Sequence, residues 1–271
     1  MSRPPVNRRF RFGANWRSFA RTIDESRVHE ARLSLSSRLG EIGGLRFLDA
    51  GCGSGLFSLA ALQLGAMHVR SFDLDPESVE VALSLKHRFA SEAENWTVER
   101  GDVLNRAYLE TLGEWDVVYC WGVLHHTGDL WNGAENVARL VAPGGHLFVS
   151  IYNDQGIKSV RWARVKRAYQ RLPHLLRPVY VVLVMAPAEL RIARDEGARA
   201  YIGAWRSYKT QRGMSRWHDL VDWVGGYPYE VAKPTDVEQF FQDLGLTLKW
   251  SRTEGVTSGN NEFVFRRMPD G

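Results

Sequence analysis

The stretch Arg46 to Gly55, RFLDAGCGSG, decides the fold. A short apolar strand, Leu45 to Asp49, runs straight into Gly51, Gly53 and Gly55, and a buried helix from Leu56 to Leu64 follows. A strand, a glycine turn and a helix in that order bring backbone close to a nucleotide-like ligand. Glycine is required because a Cβ would block the ligand or the positive φ of the turn. A dinucleotide site spaces its glycines G-x-G-x-x-G and sets a pyrophosphate on the helix N-terminus. Here the pattern is D-x-G-x-G-x-G, with Asp49 two residues before the first glycine.

Outward from the turn, strands and helices alternate. Thr22 to Leu39 reads as a helix with Ile23, Val28, Ala31, Leu35 and Leu39 on one face. A second strand, Met67 to Phe72, ends at Asp73, and Pro76 opens the next helix. Trp96 to Glu99 and Trp115 to Trp121 are further strands; a helix from Leu130 to Val141 stops before Pro143, Gly144 and Gly145, and His146 to Tyr152 is a fifth strand. This alternation predicts a parallel sheet with right-handed crossovers. It breaks off over 153–232, which is helical, Arg-rich and aromatic, and resumes with a helix at Thr235 to Leu244 and strands at Leu246 to Trp250 and Glu262 to Phe265.

Composition narrows the class. At 271 residues with 44% hydrophobic and 24% charged side chains, the chain can bury one sizeable core. A net charge of +4 is small for this length, so any basic face is local. Cys52 and Cys120 are too few for a disulfide framework and lack metal-site spacing, which predicts reduced thiols and no metal. The Arg- and Pro-rich residues 1–13, expected to be mobile, carry no apolar segment of a secretory signal. The longest apolar run, Val179 to Ala188, is broken by Pro187 and falls short of the roughly 20 residues of a membrane span. These readings predict a cytoplasmic protein without a transmembrane segment.

The quoted stretch resembles motif I of the class I S-adenosylmethionine-dependent methyltransferases. The chemistry agrees with the pattern: that cofactor has no phosphate, and its methionine end carries an ammonium that Asp49 can hold, directly or through water. Asp73, 22 residues after Gly51, stands where an acid accepts both ribose hydroxyls. Asp75 competes for that part, its other reading being a helix cap before Pro76. Further along, DVVYCWGVLHHTGD (Asp116 to Asp129) resembles the family's motif IV, and APGGHLFVSIYN (Ala142 to Asn153) its fifth strand. RFGANW and GMSRWHDLVDWVGGYPYE resemble a bacterial subgroup of these enzymes.

The resemblance implies a Rossmann-like α/β sheet, mostly parallel with its last strand antiparallel, with helices on both faces and a helical insertion. It divides the chain into residues 1–44, a segment and helix covering the cofactor site; 45–152, the cofactor-binding core; 153–232, a helical lid for the acceptor; and 233–271, which completes the core. It implies S-adenosyl-L-methionine as cofactor and S-adenosyl-L-homocysteine as product. The expected cofactor contacts are Asn15, Trp16, Asp49, Gly51, Gly53, Gly55, Asp73, Leu74, Asp102, Val103, Trp121 and Gly122. Trp16 can lie over a sulfonium or pack the first helix onto the sheet; Asp102 can contact adenine or make a turn; Gly122 offers backbone, with Trp121 beside it.

The candidate catalytic residues are His126, Tyr152, Asn153 and His218. His125 and His126, with Asp129, suggest a metal site, but adjacent side chains point apart; a general base or hydrogen bonding near the cofactor fits a histidine there. Tyr152 and Asn153 end a strand on the edge where ligands of such sheets bind. His218 heads a cluster with Asp219, Asp222, Trp223, Tyr227, Tyr229 and Glu230, which reads equally as a packed lid helix. Lys158, Arg161, Arg164, Lys166, Arg167 and Arg171 form a basic helix, open to reading as a nucleic-acid footprint, a membrane-surface helix, a site for a phosphate-bearing acceptor, or the solvated face of a lid. The Trp- and Tyr-rich insertion favours a small-molecule acceptor in an enclosed pocket. RNA or protein methylation through the basic helix is the alternative, followed by a non-methylating enzyme that cyclises the aminobutyryl chain of the same cofactor, and by a non-catalytic cofactor-binding regulator. An NAD-dependent dehydrogenase, the rival for this core, is disfavoured by the glycine spacing and Asp49.

Overall fold

The computed structural model describes residues 10, 12–212, 216–253 and 259–269. Seven strands, β1 (Arg46–Ala50), β2 (His68–Asp73), β3 (Trp96–Arg100), β4 (Trp115–Trp121), β5 (Val141–Tyr152), β6 (Leu246–Arg252) and β7 (Asn260–Arg267), form one sheet in the order β3-β2-β1-β4-β5-β7-β6. The first five pair in parallel, whereas β7 is antiparallel to both β5 and β6. The expected sheet is therefore present, with β7 the strand that runs against the others. The order reverses between β1 and β4, and in such sheets ligands bind beyond the strand ends at that switch point.

Alternate residues of the central strands bury on opposite faces. Phe47, Val117, Tyr119, Phe148 and Val264 meet helices α2 (Glu25–Leu39) and α3 (Leu56–Gln63) on one side. Leu48, Val118, Cys120, Leu147 and Phe263 meet α6 (Leu130–Arg139) and α11 (Pro234–Asp243) on the other. Burial on both faces explains why these strands read as continuous apolar runs. Helix α4 (Pro76–Phe89) follows β2, and the short α5 (Arg106–Glu110) follows β3.

Three expectations are corrected. The first long helix begins at Glu25 rather than Thr22, because Asp24 caps it by accepting from the Arg27 N–H at 3.0 Å. A separate helix, α1 (Gly13–Ala20), precedes it. Val141 does not end a helix but starts β5: it pairs with Trp115, and the register then slips so that Val117 faces His146, with Pro143, Gly144 and Gly145 absorbed as a bulge.

Between β5 and α11 the chain forms α7 (Ile157–Arg171), α8 (Arg177–Glu196), α9 (Ala198–Arg212) and α10 (Arg216–Gly225). Tyr169, Val181 and Val224 centre a third core joining α7, α8 and α10. Among the described residues no helix is long and apolar enough to cross a membrane, and no group of His, Cys, Asp and Glu could hold a metal ion. The segment after α10 is stitched to the β4–α6 loop. The Glu230 N–H donates to the His125 carbonyl at 2.9 Å, and the Glu230 carboxylate accepts from the N–H groups of Gly128 at 2.9 Å and Leu130 at 3.3 Å. Asp129, at the N-cap of α6, makes no side-chain cap of its own, so Glu230 supplies it from a hundred residues away.

Glu230→Ala should therefore destabilise the fold by about 1–2 kcal/mol, the scale of a lost N-cap. Urea unfolding of the purified variant measures this; a midpoint equal to that of the parent would show that the carboxylate contributes nothing to α6.

Candidate active site

Gly51, Gly53 and Gly55 all take positive φ, at 83°, 54° and 77°. This winds the chain so that the N–H groups of Gly51 and Cys52 both donate to the Phe72 carbonyl, at 2.8 and 3.0 Å. Gly53 N–H then donates to Asp73 Oδ2 at 3.0 Å, while Asp75 N–H donates to Oδ1 at 2.9 Å. The end of β2 and the turn after β1 are thus one hydrogen-bonded unit, with the Asp73 carboxylate at its centre. Burial pushes the Asp73 carboxyl up to about 6, against the backbone N–H groups of Asp75, Gly53 and Leu74, which favour its charged form.

Asp49 lies beneath the turn and is buried. It accepts a short hydrogen bond from Ser58 Oγ; Ser71 Oγ donates to Ser58 Oγ at 2.7 Å, and Trp96 Nε1 donates to Ser71 Oγ at 2.8 Å. A buried polar chain therefore runs from β3 through β2 and α3 to β1. Burial raises the Asp49 carboxyl to about 7; Ser58 pulls it down and the Asp73 charge pushes it up.

Two side chains cover the turn. A Cβ on Gly53 would stand 2.7 Å from the Trp16 ring, and one on Gly51 would stand 2.4 Å from Val123 Cγ2. The Trp16 ring thus packs α1 down onto the glycine turn. Helix α1 is anchored on α4 by the Gly13 N–H to Asp75 Oδ2 bond at 3.1 Å, while Asp75 Oδ1 caps α4 through Glu77 N–H at 3.0 Å. An open cavity of about 520 Å³ lies away from the turn, along α1 and α4 between Arg17, Arg21, Glu80 and Arg88.

Of the remaining expected cofactor positions, Leu74, Asp102 and Val103 follow β2 and β3, Trp121 ends β4 and Gly122 follows it, and Asn15 lies in α1. Leu74 follows Asp73, and its carbonyl accepts from Arg100 Nε at 3.3 Å. Asp102 makes the turn after β3, accepting from Leu104 N–H at 2.9 Å, and Val103 is buried next to it. Gly122 has φ 77° at the tip of β4. The Trp121 indole turns aside to donate to Glu262 Oε1 of β7 at 3.0 Å. Asn15 is buried and reaches α10, where its side-chain amide donates to Asp222 Oδ1.

Beyond β4 and β5 lies an aromatic cluster. The His125 ring sits 3.8 Å from that of Tyr152, and Tyr152 lies 5.3 Å from Tyr229 and 6.1 Å from Trp223. His126 lies 5.4 Å from Tyr152 and 4.9 Å from Phe12. His126 Nδ1 is 2.7 Å from the Pro228 carbonyl, which only accepts, so Nδ1 carries the proton and Nε2 keeps a lone pair. His125 Nδ1 accepts from Tyr152 N–H at 3.3 Å and is the opposite tautomer. Burial lowers the His126 pKa to about 3 and holds His125 well below the usual range, so both rings are neutral near pH 7.

Lys166, expected on an exposed basic face, is instead fully buried in this cluster. Its Nζ donates to the Trp223 carbonyl and stands 5.0 Å from the Trp223 ring and 4.9 Å from Tyr229. Burial lowers its pKa to about 7, against the pull of Asp222; burial raises Asp222 to about 7, against its bond from Asn15. A Cβ on Gly226 would lie 3.3 Å from His126 Cε1 and 3.6 Å from Lys166 Nζ, so the two basic groups flank one glycine. Helical spacing carried the signal for Lys166: it lies four residues after Trp162 and three before Tyr169, both on the inward face of α7.

Of the four catalytic candidates, the structure brings His126 and Tyr152 together. Asn153 is buried outside the cluster and accepts from Asn261 Nδ2 of β7 at 3.1 Å. The His218 side chain lies outside the described residues. Glu230, expected among groups able to orient or deprotonate a substrate, caps α6 instead.

Asp49 gives a test of this electrostatic layout. Its folded pKa, about 7, lies above the unfolded value of about 4. The stability it contributes is therefore complete below about pH 4 and is lost as pH rises through about 7. Asp73 and Asp222 act in the same direction. Asp49→Asn should accordingly flatten the fall in unfolding free energy between about pH 4 and pH 7, measured by urea titration at each pH; an unchanged slope would show that Asp49 keeps an ordinary pKa.

The model of the family described as "Methyltransferase domain" matches residues 17–213, well over half of the chain. The ubiquinone biosynthesis O-methyltransferase of Xanthomonas oryzae pv. oryzae is 36% identical over 126 residues, covering 46% of this chain and 51% of that protein. The protein of the same name from Cupriavidus pinatubonensis is 33% identical over 172 residues, covering 63% and 66%. The chain thus spans about half the length of the first of these curated relatives and about two thirds of the second. Among solved structures, the magnesium protoporphyrin IX methyltransferase of Synechocystis PCC 6803 with bound S-adenosylhomocysteine superposes with a TM-score of 0.52 at 17% identity, covering 89% of this chain and 81% of that one; it shares the fold. Sheet order, glycine turn and family match agree: the chain belongs to the class I S-adenosylmethionine-dependent methyltransferases.

Proposed function

We propose that this chain transfers a methyl group from S-adenosylmethionine to a hydroxyl of a small, ring-bearing acceptor. The observation that carries the proposal is the positive-φ glycine turn fused to the Asp73 carboxylate, with an enclosed aromatic cluster holding a neutral histidine at the neighbouring strand tips. The O-methylation for which the curated relatives are named supports the hydroxyl.

The turn fits an adenosyl group. Its glycines leave backbone bare on the side that Trp16 and Val123 now cover, and Asp73 stands beside it as an acceptor for ribose hydroxyls. Asp102, Val103 and Leu74 would border the adenine, and Gly122 the methionine end. Asp49, whose carboxylate is bonded to Ser58, would set the shape of the turn from below. Trp16 and Asn15 make α1 a cover over the cofactor, which must lift for entry because the Trp16 ring rests on Gly53. When bound, S-adenosylmethionine supplies an electrophilic methyl on a good leaving group and departs as S-adenosylhomocysteine.

The protein's share is alignment, exclusion of water and management of one proton. The insertion of residues 153–232 acts as the lid, with Tyr152, Trp223 and Tyr229 packing the acceptor ring. Nε2 of His126 accepts the hydrogen bond that aligns the hydroxyl. As the new C–O bond forms, the hydroxyl proton passes along this bond to Nε2; with its pKa near 3, His126 does not keep it, and the neutral Lys166 amine, tuned to about 7, takes it from Nε2. The free thiols Cys52 and Cys120 suit a reducing, cytoplasmic location.

Two measurements test this reading. Asp73→Asn should weaken S-adenosylhomocysteine binding by roughly 1.5–3 kcal/mol, the scale of hydrogen bonds to a charged group, as read by calorimetry; an unchanged dissociation constant would remove Asp73 from the cofactor site. With labelled cofactor and a panel of hydroxylated aromatic compounds, kcat/KM should rise through about pH 7, and Lys166→Met should lower it by about 10²-fold or more and abolish the rise. A panel that accepts no label while cell RNA does would overturn the small-molecule assignment.

A further inference from the structure

The outer face of the insertion has a composition that the methyl-transfer chemistry does not use. From Gln155 to Ala188 there is no Asp or Glu, while seven Lys and Arg residues occur. Lys166 is buried and Arg177 half-buried; Lys158, Arg161, Arg164, Arg167 and Arg171 are exposed. The same stretch exposes large aliphatic side chains. Leu175 is 90% exposed and Leu183 68%, with Val179 and Val182 above half; just beyond the stretch, Leu190 is 70% exposed.

Helical geometry sorts these residues. In α8, Val181 is fully buried, and Tyr180, Val184 and Met185 pack inward against the Tyr169–Val224 core. Val179, Val182, Leu183 and Leu190 share the opposite stripe at i, i+3, i+4 and i+11, with Leu175 and Leu176 extending it at the N-terminal end. In α7, Trp162, Val165 and Tyr169 turn inward, so Arg161, Arg164, Arg167 and Arg171 face out beside Ile157 and Val160. Two neighbouring helices, joined by the Tyr180 hydroxyl donating to the Val165 carbonyl at 3.2 Å, thus present aliphatic and cationic side chains on their outer surfaces.

From this face we infer that the α7–α8 surface docks on an anionic phospholipid bilayer, with α8 lying in the plane of the interface. Aliphatic side chains on such a helix enter the acyl boundary while flanking arginines reach headgroup phosphates. The face carries no acidic residue from Gln155 to Ala188, and further along α8 Glu189 is paired with Arg216 and Asp195 with Arg191 and Arg194, which limits the repulsion that an anionic surface would meet. A nucleic acid fits the face less well: it would gain from exposed aromatic side chains to stack its bases, and the rings of α7 and α8 point inward. A second copy of the same face would bring like charges together. The inference stands independently of the methyl acceptor, since it uses none of the residues of the glycine turn or the histidine cluster.

Co-sedimentation of the full chain with vesicles tests it. Phosphatidylglycerol–phosphatidylcholine vesicles should bind at least about tenfold more tightly than phosphatidylcholine vesicles, with affinity falling as salt rises. The double variants Val182→Asp with Leu183→Asp, and Arg164→Glu with Arg167→Glu, should each reduce binding about tenfold or more, while their circular dichroism and S-adenosylhomocysteine affinity stay at parent values. Failure to bind anionic vesicles near physiological salt, variants that bind as well as the parent, or sedimentation as a dimer that the α8 variant splits would each overturn the inference. Binding to bulk tRNA that both variants abolish, with vesicles left unbound, would reassign the face to nucleic acid.

Discussion

The structure depends on a backbone constraint at the exit of β1. Two consecutive N–H groups, from Gly51 and Cys52, converge on the Phe72 carbonyl, and the next, from Gly53, meets the Asp73 carboxylate. That convergence demands positive φ at Gly51 and Gly53, which L side chains rarely adopt. Once it is met, the turn is fixed to the end of β2, and the parallel register of β1 with β2 sets where the turn opens. Val123 from the β4 tip and Trp16 from α1 then close on the glycines because no Cβ keeps them away. One conformational requirement thereby assembles pieces from four parts of the chain at the switch point of the sheet.

The insertion is held to this centre by main chain as much as by side chains. Glu230 N–H bonds to the His125 carbonyl, the Pro228 carbonyl fixes the His126 tautomer, and Phe10 N–H donates to the Tyr227 carbonyl at 2.8 Å. The segment that closes the insertion therefore also orients the histidine at the β4 tip and receives the chain leading into α1. An aromatic cluster assembled in this way has its shape set by the loops that carry its candidate chemical groups, which favours alignment over reorganisation as the source of catalysis.

The sheet was legible in the sequence because its central strands are apolar on both faces and each is bounded by a turn or a cap; β4 was read to its last residue, and the glycine turn carried the family. Other features depended on contacts that a linear pattern does not hold. Helix α1 has only eight residues, and what fixes it is Asp75, 62 positions after Gly13. The start of β5 was hidden because Val141 continues the apolar face of α6, whereas its pairing with Trp115 is tertiary. Lys166 was misjudged by charge alone, although the period of α7 places it with Trp162 and Tyr169. Glu230 looked like candidate chemistry because a carboxylate near aromatic residues is locally indistinguishable from one that caps a distant helix.

Lys166 and Asp222 place two ionisable groups in the interior of the helical insertion. Burial shifts both groups toward neutrality near pH 7, the lysine downward and the aspartate upward, so each is held where a small change in surroundings alters its charge. Asp222 is tied to Asn15 of α1, and Lys166 to the Trp223 carbonyl of α10. Apolar residues of similar volume would hold these helices together without the desolvation penalty. Displacing α1 would remove the Asn15 amide from Asp222, and with it a hydrogen bond that favours the charged carboxylate. The ionisation of the pair is thus linked by geometry to the position of the helix that carries Trp16.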